Sequence, residues 1–261
     1  MIKTNLSKEN NLDSEINTFK NYIYNEKNIK SCESYKKTLH VFENDLPNNL
    51  KKAFSKIKNN KKIISKIKEK YPDHKIINAN KMNELYVSCV SSEGSDNVFQ
   101  TRHVDGPYYL FKGCTLLRSL FVIEGNKNVF TIFPDYEEEV SLSKGDFIAF
   151  DFNRDIHFIE KRDFFKDNNI RILLKIHYAV VPKYAPNFIR KICKISNENY
   201  NLLARKGFNI SKTPKTIIEK ILSRLINLST YIYTLFLEVI GWENFFIILI
   251  WAIFIRNYFK K

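Results

Sequence analysis

The first 74 residues are mostly polar, with two stretches in which apolar residues recur at helical spacing. In the longer stretch, over residues 48–70, lysines occupy the remaining faces. Its apolar positions are Leu50, Phe54, Ile57, Ile64 and Ile67. A weaker pattern around residues 16–24 predicts a short helix. Both are expected to pack on the outside of a larger core.

From about residue 75 the pattern changes to short runs rich in β-branched and aromatic residues, separated by Gly, Asn, Asp, Ser and Pro. The runs are KIINAN, ELYVSCV, NVFQTRHV, TLLRSLFVI, NVFTIFP, EEVSLS, DFIAFDF, IHFIEK and IRILLKIHYAVV. Many short strands joined by tight turns predict a mainly β fold, an all-β sandwich or barrel. The strands end near residue 184.

Beyond the strands the composition changes twice. Residues 185–222 are basic, contain two prolines and are predicted to form a linker with short helices. In the tail that follows, from Leu225 to Ile255, only Glu238 and Glu243 are charged. The predicted regions are an N-terminal polar and helical region over 1–74, a β core over 75–184, a basic linker over 185–222 and a hydrophobic tail over 223–261.

The tail is long enough to enter a lipid bilayer, which needs about 20 apolar residues as a helix. Its 31 residues suit either one tilted helix or a shallow hairpin turning at residues 241–244. Basic residues on both flanks favour the hairpin, because they prefer the cytoplasmic side. We expect residues 225–257 to bind membrane lipid. The alternative is a soluble, buried helical hairpin.

The distribution of charge and the cysteines indicate which binding partners and which compartment suit the protein. Of the net charge of +14, residues 1–80 and 185–261 carry +8 each, whereas residues 81–184 carry −2. Such flanks suit anionic lipid or nucleic acid, but the helix over 48–70 offers no base-reading side chains, which disfavours nucleic acid. The four cysteines are scattered and lack zinc-ligand spacing, which predicts reduced thiols in a protein that faces the cytosol. Together with the hydrophobic tail, this predicts a membrane-associated protein whose folded part lies on the cytosolic side.

The candidate chemistry is carried by His103, Asp105 and His157. Two imidazoles and one carboxylate can occupy one face of a non-haem Fe(II) ion and leave the opposite face open. Because His103 and Asp105 lie two positions apart at a strand end, both side chains can point to the same side. The turn and buried strand SKGDFIAFDF would deliver His157 to the mouth of the barrel.

Arg171 begins the last strand, on whose alternating pattern Leu173, Lys175 and His177 share its face. An arginine that points into a barrel needs an anion there, because an unpaired buried charge is costly. Its planar guanidinium is suited to bind a dicarboxylate cosubstrate through two hydrogen bonds. The other histidines, at positions 40, 74 and 177, have no partner at ligand spacing and are interpreted as structural.

The stretch from about residue 80 to 182 resembles the Fe(II)/2-oxoglutarate-dependent dioxygenase superfamily, in its HxD…H motif, its downstream arginine and the run GDFIAFD before the distal histidine. The resemblance implies a double-stranded β-helix, in which His103, Asp105 and His157 hold iron and Arg171 binds the 2-oxoglutarate C5 carboxylate. It also implies O2 as the second cosubstrate, with ascorbate as a candidate reductant. GDFIAFDFNRDIHFIEKR more faintly resembles the aspartyl/asparaginyl β-hydroxylase branch, which lacks the motif's Asp.

Two further residues are assigned supporting roles in the site because of their positions on predicted strands. Tyr86 is a candidate hydrogen-bond partner for 2-oxoglutarate, and Arg118 is a candidate second contact for an anion. The alternatives are a tyrosine at the barrel rim and an arginine in a surface ion pair. Tyr108 and Tyr109 are candidates for the substrate entrance.

The sequence thus predicts a membrane-attached hydroxylase of a protein side chain or lipid. Two alternatives stay open: a non-catalytic, cupin-like ligand-binding barrel, and a nucleic-acid-directed dioxygenase recruited by the basic flanks. A zinc hydrolase would leave Arg171 unexplained.

Overall fold

The computed structural model describes residues 1–6, 12–30, 38–89, 101–106, 114–162, 169–212 and 214–240. It divides into two compact units, Met1–Ala204 and Arg205–Lys261. The strands are β1 (Ile2–Asn5), β2 (Leu39–Phe42), β3 (His74–Asn78), β4 (Glu84–Ser88), β5 (Thr115–Glu124), β6 (Val129–Phe133), β7 (Glu138–Ser141), β8 (Asp146–Asp151), β9 (Phe158–Lys161) and β10 (Arg171–Pro182). The α-helices are α1 (Asp13–Asn21), α2 (Asn48–Lys58), α3 (Lys61–Lys70), α4 (Asn187–Lys212) and α5 (Ile217–Ile240).

The strands of the first unit form two antiparallel sheets. In the larger sheet the order is β1-β8-β5-β10-β4-β2, and β3 also pairs with β10. The smaller sheet has the order β7-β6-β9. The predicted mainly β protein with N-terminal helices is therefore confirmed. The first half of one run of the sequence pattern, NVFQTRHV, falls outside the described residues.

Alternation along β10 separates two apolar layers. Ile172, Leu174 and Ile176 point to one side, where they join the core beneath α1, α2 and α3. Leu173 points to the other side and packs with Phe133 of the smaller sheet. The predicted division of this strand into two faces is confirmed, and its second face looks into the space between the sheets.

The helical segment predicted over residues 48–70 is confirmed but is interrupted at Asn59 and Asn60. The side-chain oxygen of Asn60 accepts hydrogen bonds from the backbone of Lys62 and Ile63, so that Asn60 caps α3. The buried residues of the two helices are apolar, Phe54 and Ile67 among them, except for Lys58, which forms a buried ion pair with Glu43. The helix expected near residues 16–24 is α1, followed by a π-helical turn at Tyr22–Glu26.

Residues outside the β core differ from expectation in two places. The N-terminal region supplies β1 and β2 to the larger sheet, where they pair with β8 and β4. The linker with short helices predicted over 185–222 is wrong, because residues 187–212 form the single helix α4. Ile189 and Cys193 pack this helix against β10, and the packing stabilises it as one continuous helix.

The described part of the second unit includes α5, which covers the first half of the predicted hydrophobic tail. Residues 241–261, including the proposed turn of a hairpin, lie outside the described residues. Among the described helices, none combines the length and apolarity needed to cross a membrane.

Candidate metal centre

The two predicted histidine ligands are brought together by their own backbones. His103 and His157 form an isolated antiparallel bridge, in which each N–H donates to the other's carbonyl, at 3.1 and 2.9 Å. Residues paired in this way place their side chains on the same side of the sheet. The two ring centroids are accordingly 4.6 Å apart.

A tight turn after β8 delivers His157 to this position. The side chain of Asp151 accepts a hydrogen bond from the backbone of Asn153, and the side chain of Asp155 accepts one from the backbone of Asp151. Tyr136 then donates its hydroxyl to Asp155. Asp and Asn residues favour such turns because their side chains imitate the backbone bonds of the turn.

The loop that carries Asp105 docks on the same turn through Gly106. Its N–H donates to the carbonyl of Phe152, and its carbonyl accepts from the Asn153 amide. A Cβ at Gly106 would lie 2.3 Å from the Phe152 ring. Only glycine permits this close approach, and thus the position of Asp105 next to His157.

Three ligand atoms of this set, one each from His103, Asp105 and His157, lie within 4.8 Å of one another. The Nδ1 atoms of the histidines face the backbone carbonyls of Thr101 and Asp155, at 2.7 and 3.0 Å. Such bonds fix Nδ1 as the donor and leave each Nε2 as a metal ligand. Among the described residues, the buried Oδ2 of Asp105 receives no hydrogen bond. An orphaned carboxylate oxygen facing two imidazoles fits a divalent metal ion.

The protonation states also fit a metal ion. Burial raises the pKa of Asp105, but Arg118 and the two imidazoles outweigh it and lower this pKa to about 2. Burial lowers the pKa of His157 to about 4, although Asp105 opposes the shift. At neutral pH the carboxylate is therefore charged and the imidazole neutral, which are the forms that bind metal.

Arg118 lies in the cavity, in an ion pair with the metal-site carboxylate. Its Nη1 is 2.5 Å from Oδ1 of Asp105, its Nε donates to Nε2 of His177 at 3.1 Å, and its guanidinium lies 4.6 Å from the Phe152 ring centroid. The alternative prediction, that Arg118 forms an ion pair at the surface, is therefore wrong. Direct contact between Arg118 and a cosubstrate stays a prediction. His177 contacts Arg118, a partner that spacing along the sequence did not reveal.

Arg171 is 1% exposed and faces the same cavity. Its Nη2 donates to the Thr131 hydroxyl at 3.3 Å, and its Nε has no hydrogen-bond partner among the described residues. Burial lowers its pKa to about 10, while Tyr86 acts in the opposite direction. Arg171 thus stays a cation at neutral pH and has capacity for an anion that none of the described residues supplies.

The cavity between the two sheets is lined by all six residues to which the sequence assigns site roles. It therefore unites the metal ligands with Arg171, Arg118 and Tyr86. Lys175 also lines it, although the sequence suggested no role for this residue. Tyr108 and Tyr109, the candidates for the substrate entrance, lie outside the described residues.

The expectation that all cysteines are reduced is wrong for Cys89, which is disulfide-bonded. Cys114 and Cys193 are buried and do not form disulfides, and Cys32 lies outside the described residues. Spacing along the sequence could not reveal this bond, because a disulfide depends on how close the chain brings two cysteines in space.

Comparisons with known proteins found similarity at the level of structure only. No family model and no curated protein matches the chain. The viral collagen prolyl hydroxylase of Paramecium Bursaria Chlorella virus-1, in its 2OG complex, is 13% identical over 66% of this chain and 91% of its own, with a TM-score of 0.42. HygX from Streptomyces hygroscopicus, with nickel and 2-oxoglutarate bound, is 9% identical over 66% and 79%, with a TM-score of 0.39. A prolyl 4-hydroxylase from Phytophthora capsici is 10% identical over 90% and 82%, with a TM-score of 0.41.

Proposed function

We propose that this chain is an Fe(II)- and 2-oxoglutarate-dependent oxygenase, built on a double-stranded β-helix, that hydroxylates a protein side chain or a lipid. The observation that carries the proposal is one cavity that holds both a two-histidine, one-carboxylate set and the buried cation of Arg171. The ligand set leaves coordination positions open, as this class of chemistry requires. Bound iron supplies the oxidative chemistry, and the protein supplies geometry and a shielded pocket.

The residues of the chain have distinct tasks in this proposal. Arg171 and Thr131 bind the distal carboxylate of 2-oxoglutarate. Arg118 holds one oxygen of Asp105, which leaves the other oxygen to the metal. Apolar side chains such as Leu120 and Phe150 line the cavity and limit the access of water.

The test is iron-dependent conversion of 2-oxoglutarate to succinate by the purified full-length protein, followed by mass spectrometry. Succinate should form with Fe(II), and chelation of the metal should abolish it. Folded protein that binds both Fe(II) and 2-oxoglutarate but forms no succinate would instead support the ligand-binding barrel. Untargeted comparison of lipids and peptides before and after turnover would then identify the hydroxylated substrate.

We also propose that the tail attaches the protein to a membrane through residues 225–257. The helix α5, which leads into this segment and contains its described part, supports the proposal, because it exposes apolar residues along one side while Ser223 on the opposite side is buried. The exposed residues are Ile217, Ile218, Ile221, Leu222, Leu225, Leu228, Tyr231 and Ile232. Lys220 and Arg224 are exposed on the same helix and suit an anionic lipid surface.

We expect the full-length protein to sediment with phosphatidylcholine–phosphatidylserine vesicles and to stay bound in 1 M salt, because buried apolar area is not screened by ions. Replacing Ile221, Leu225 and Leu228 together by Gln should weaken sedimentation, and the same change in charge-free surface residues of the first unit should not. Release of the wild-type protein from the vesicles by salt would show that the attachment is only electrostatic. Protein left in the supernatant at low salt would contradict it.

A further inference from the structure

His177 is a fully buried histidine to which neither the metal ligands nor Arg171 give a role. It lies on β10, where Arg118 of β5 is its cross-strand partner. Its Nε2 lies 3.1 Å from Nε of Arg118. Because a guanidinium has donors and no acceptor, Nε2 of His177 accepts this bond, and the imidazole is neutral with its proton on Nδ1. His177 is thus a built-in acceptor for one side chain of the site.

The backbone of His177 is itself fixed by its neighbours. Its N–H donates to Oδ1 of Asn83 at 2.7 Å, and its carbonyl accepts from the N–H of Ala79 at 2.9 Å. Asn83 is fully buried and donates its own amide to Glu43 at 2.7 Å. Since these bonds to His177 use only its main chain, they persist when its side chain is replaced.

The guanidinium of Arg118 is held by three side chains. Its Nη1 meets Oδ1 of Asp105 at 2.5 Å, its Nε meets His177, and its carbon lies 4.6 Å from the centroid of the Phe152 ring. Phe152 in turn packs edge-on against His177, with ring centroids 5.7 Å apart. The aromatic ring restricts the guanidinium on one face, and the bond to His177 fixes the direction of its donors.

The direction of these donors matters for the ligand Asp105. Arginine and carboxylate side chains frequently pair through two parallel hydrogen bonds, which occupy both carboxylate oxygens. Here Arg118 meets Oδ1, while Oδ2 receives no hydrogen bond from the described residues and lies 3.5 Å from Nε2 of His157. A two-bond pair would compete with a metal ion for Oδ2. The orientation of Arg118 therefore decides whether Asp105 has an oxygen to offer the ion.

We propose that His177 is a positioning residue of the metal centre, which holds Arg118 so that it engages one oxygen of Asp105 and leaves the other to the ion. This rests on the proposed function only for the assignment of the metal ligands and not for the reaction. His177 acts on the ligand through Arg118. Without an acceptor at position 177, the guanidinium turns towards Asp105, binds both oxygens and lowers the affinity for metal.

The test is calorimetric titration of chelator-treated full-length protein with Co(II), which binds imidazole and carboxylate ligands as Fe(II) does and tolerates air. His177→Leu removes the acceptor and should weaken Co(II) binding by about 10- to 100-fold, the range for groups that orient a metal ligand. His177→Gln supplies an amide oxygen as acceptor and should retain most of the affinity. Wild-type affinity in the folded Leu variant, or an equal loss in the Gln variant, would overturn the proposal.

A double-mutant cycle shows whether His177 acts through Arg118. In an Arg118→Met background no guanidinium can cover Asp105, so adding His177→Leu should change Co(II) affinity by less than about twofold. An equal loss in both backgrounds would contradict action through Arg118. If Arg118→Met does not fold, the comparison of the Leu and Gln variants at position 177 decides the question by itself.

The matched control is Tyr178→Phe, one position further along the same strand and on its opposite face. The Tyr178 hydroxyl is buried and donates to the carbonyl of Lys58 at 2.6 Å. Its loss should lower the thermal stability of the metal-free protein and leave Co(II) affinity unchanged. A fall in affinity as large as that of His177→Leu would show that metal binding follows stability, and would overturn the positioning role.

Iron-dependent succinate formation by the wild type separates this inference from the proposed function. If succinate forms while Co(II) affinity does not depend on His177, only the role of His177 is refuted. If Co(II) affinity depends on His177 through Arg118 but no succinate forms, the positioning role stands and the oxygenase proposal fails. A folded wild-type protein that binds no Co(II) would overturn both.

Discussion

Replacing His157 by Ala is expected to weaken Fe(II) binding by more than about 100-fold, because changes to groups that merely orient a metal ligand already cost about 10- to 100-fold. The Nε2 atom of this residue is 3.5 Å from the orphaned Oδ2 of Asp105, on the side where the ion would lie. Succinate formation should fall with the affinity. Anaerobic equilibrium dialysis with Fe(II) measures the first effect, and mass spectrometry measures the second.

Stability has to be separated from ligation in this experiment. The His157 ring lies 5.7 Å from the ring of Phe133 and 4.7 Å from that of Phe150, so that the alanine variant also loses packing. His103→Ala removes the partner ligand and serves as the second variant. His74→Ala removes a histidine that does not line the cavity. Full Fe(II) affinity in either ligand variant, or an equal loss in the His74 variant, would contradict the three-residue site.

The parts of the site that the sequence predicts are those encoded by local pattern. Strict alternation in IRILLKIHYAVV fixes which side chains of β10 share a face, and Arg171 and Lys175 indeed line one cavity. The separation of His103 and Asp105 by one residue likewise places both near His157. Such patterns persist in the fold because successive side chains of a strand point to opposite faces, so that every second residue shares a face.

The parts that it does not predict depend on register between distant strands. Arg118 meets His177 because β5 and β10 pair at these two residues, and no local pattern encodes that register. Lys175 reaches Glu84 for the same reason, across β10 and β4. The strands β1 and β2 have four residues each and little apolar alternation, and they form by pairing with the edges of an existing sheet.

Replacing Arg171 by Met is expected to change cosubstrate binding and stability in opposite directions. Loss of the charged fork should raise the apparent KM for 2-oxoglutarate by roughly 30- to 4,000-fold, which corresponds to the 2–5 kcal/mol that truncating a buried charge pair costs. In the absence of ligand, however, Arg171 is a buried cation that, within the part of the chain that the structure describes, contacts a hydroxyl and no carboxylate. An apolar side chain of similar length should therefore raise the free energy of unfolding by about 1–4 kcal/mol.

Both effects are measurable on the same preparations. Thermal unfolding with and without 2-oxoglutarate should show that the ligand stabilises the wild type and leaves the Arg171→Met variant unchanged. Arg171→Lys keeps the charge but not the planar fork, and should give an intermediate KM. Thr131→Val removes only the hydroxyl that contacts Arg171, and should raise KM by no more than about tenfold. A Met variant with wild-type KM would exclude the anion role, and one less stable than the ligand-free wild type would show that Arg171 is held by the fold rather than kept for a ligand.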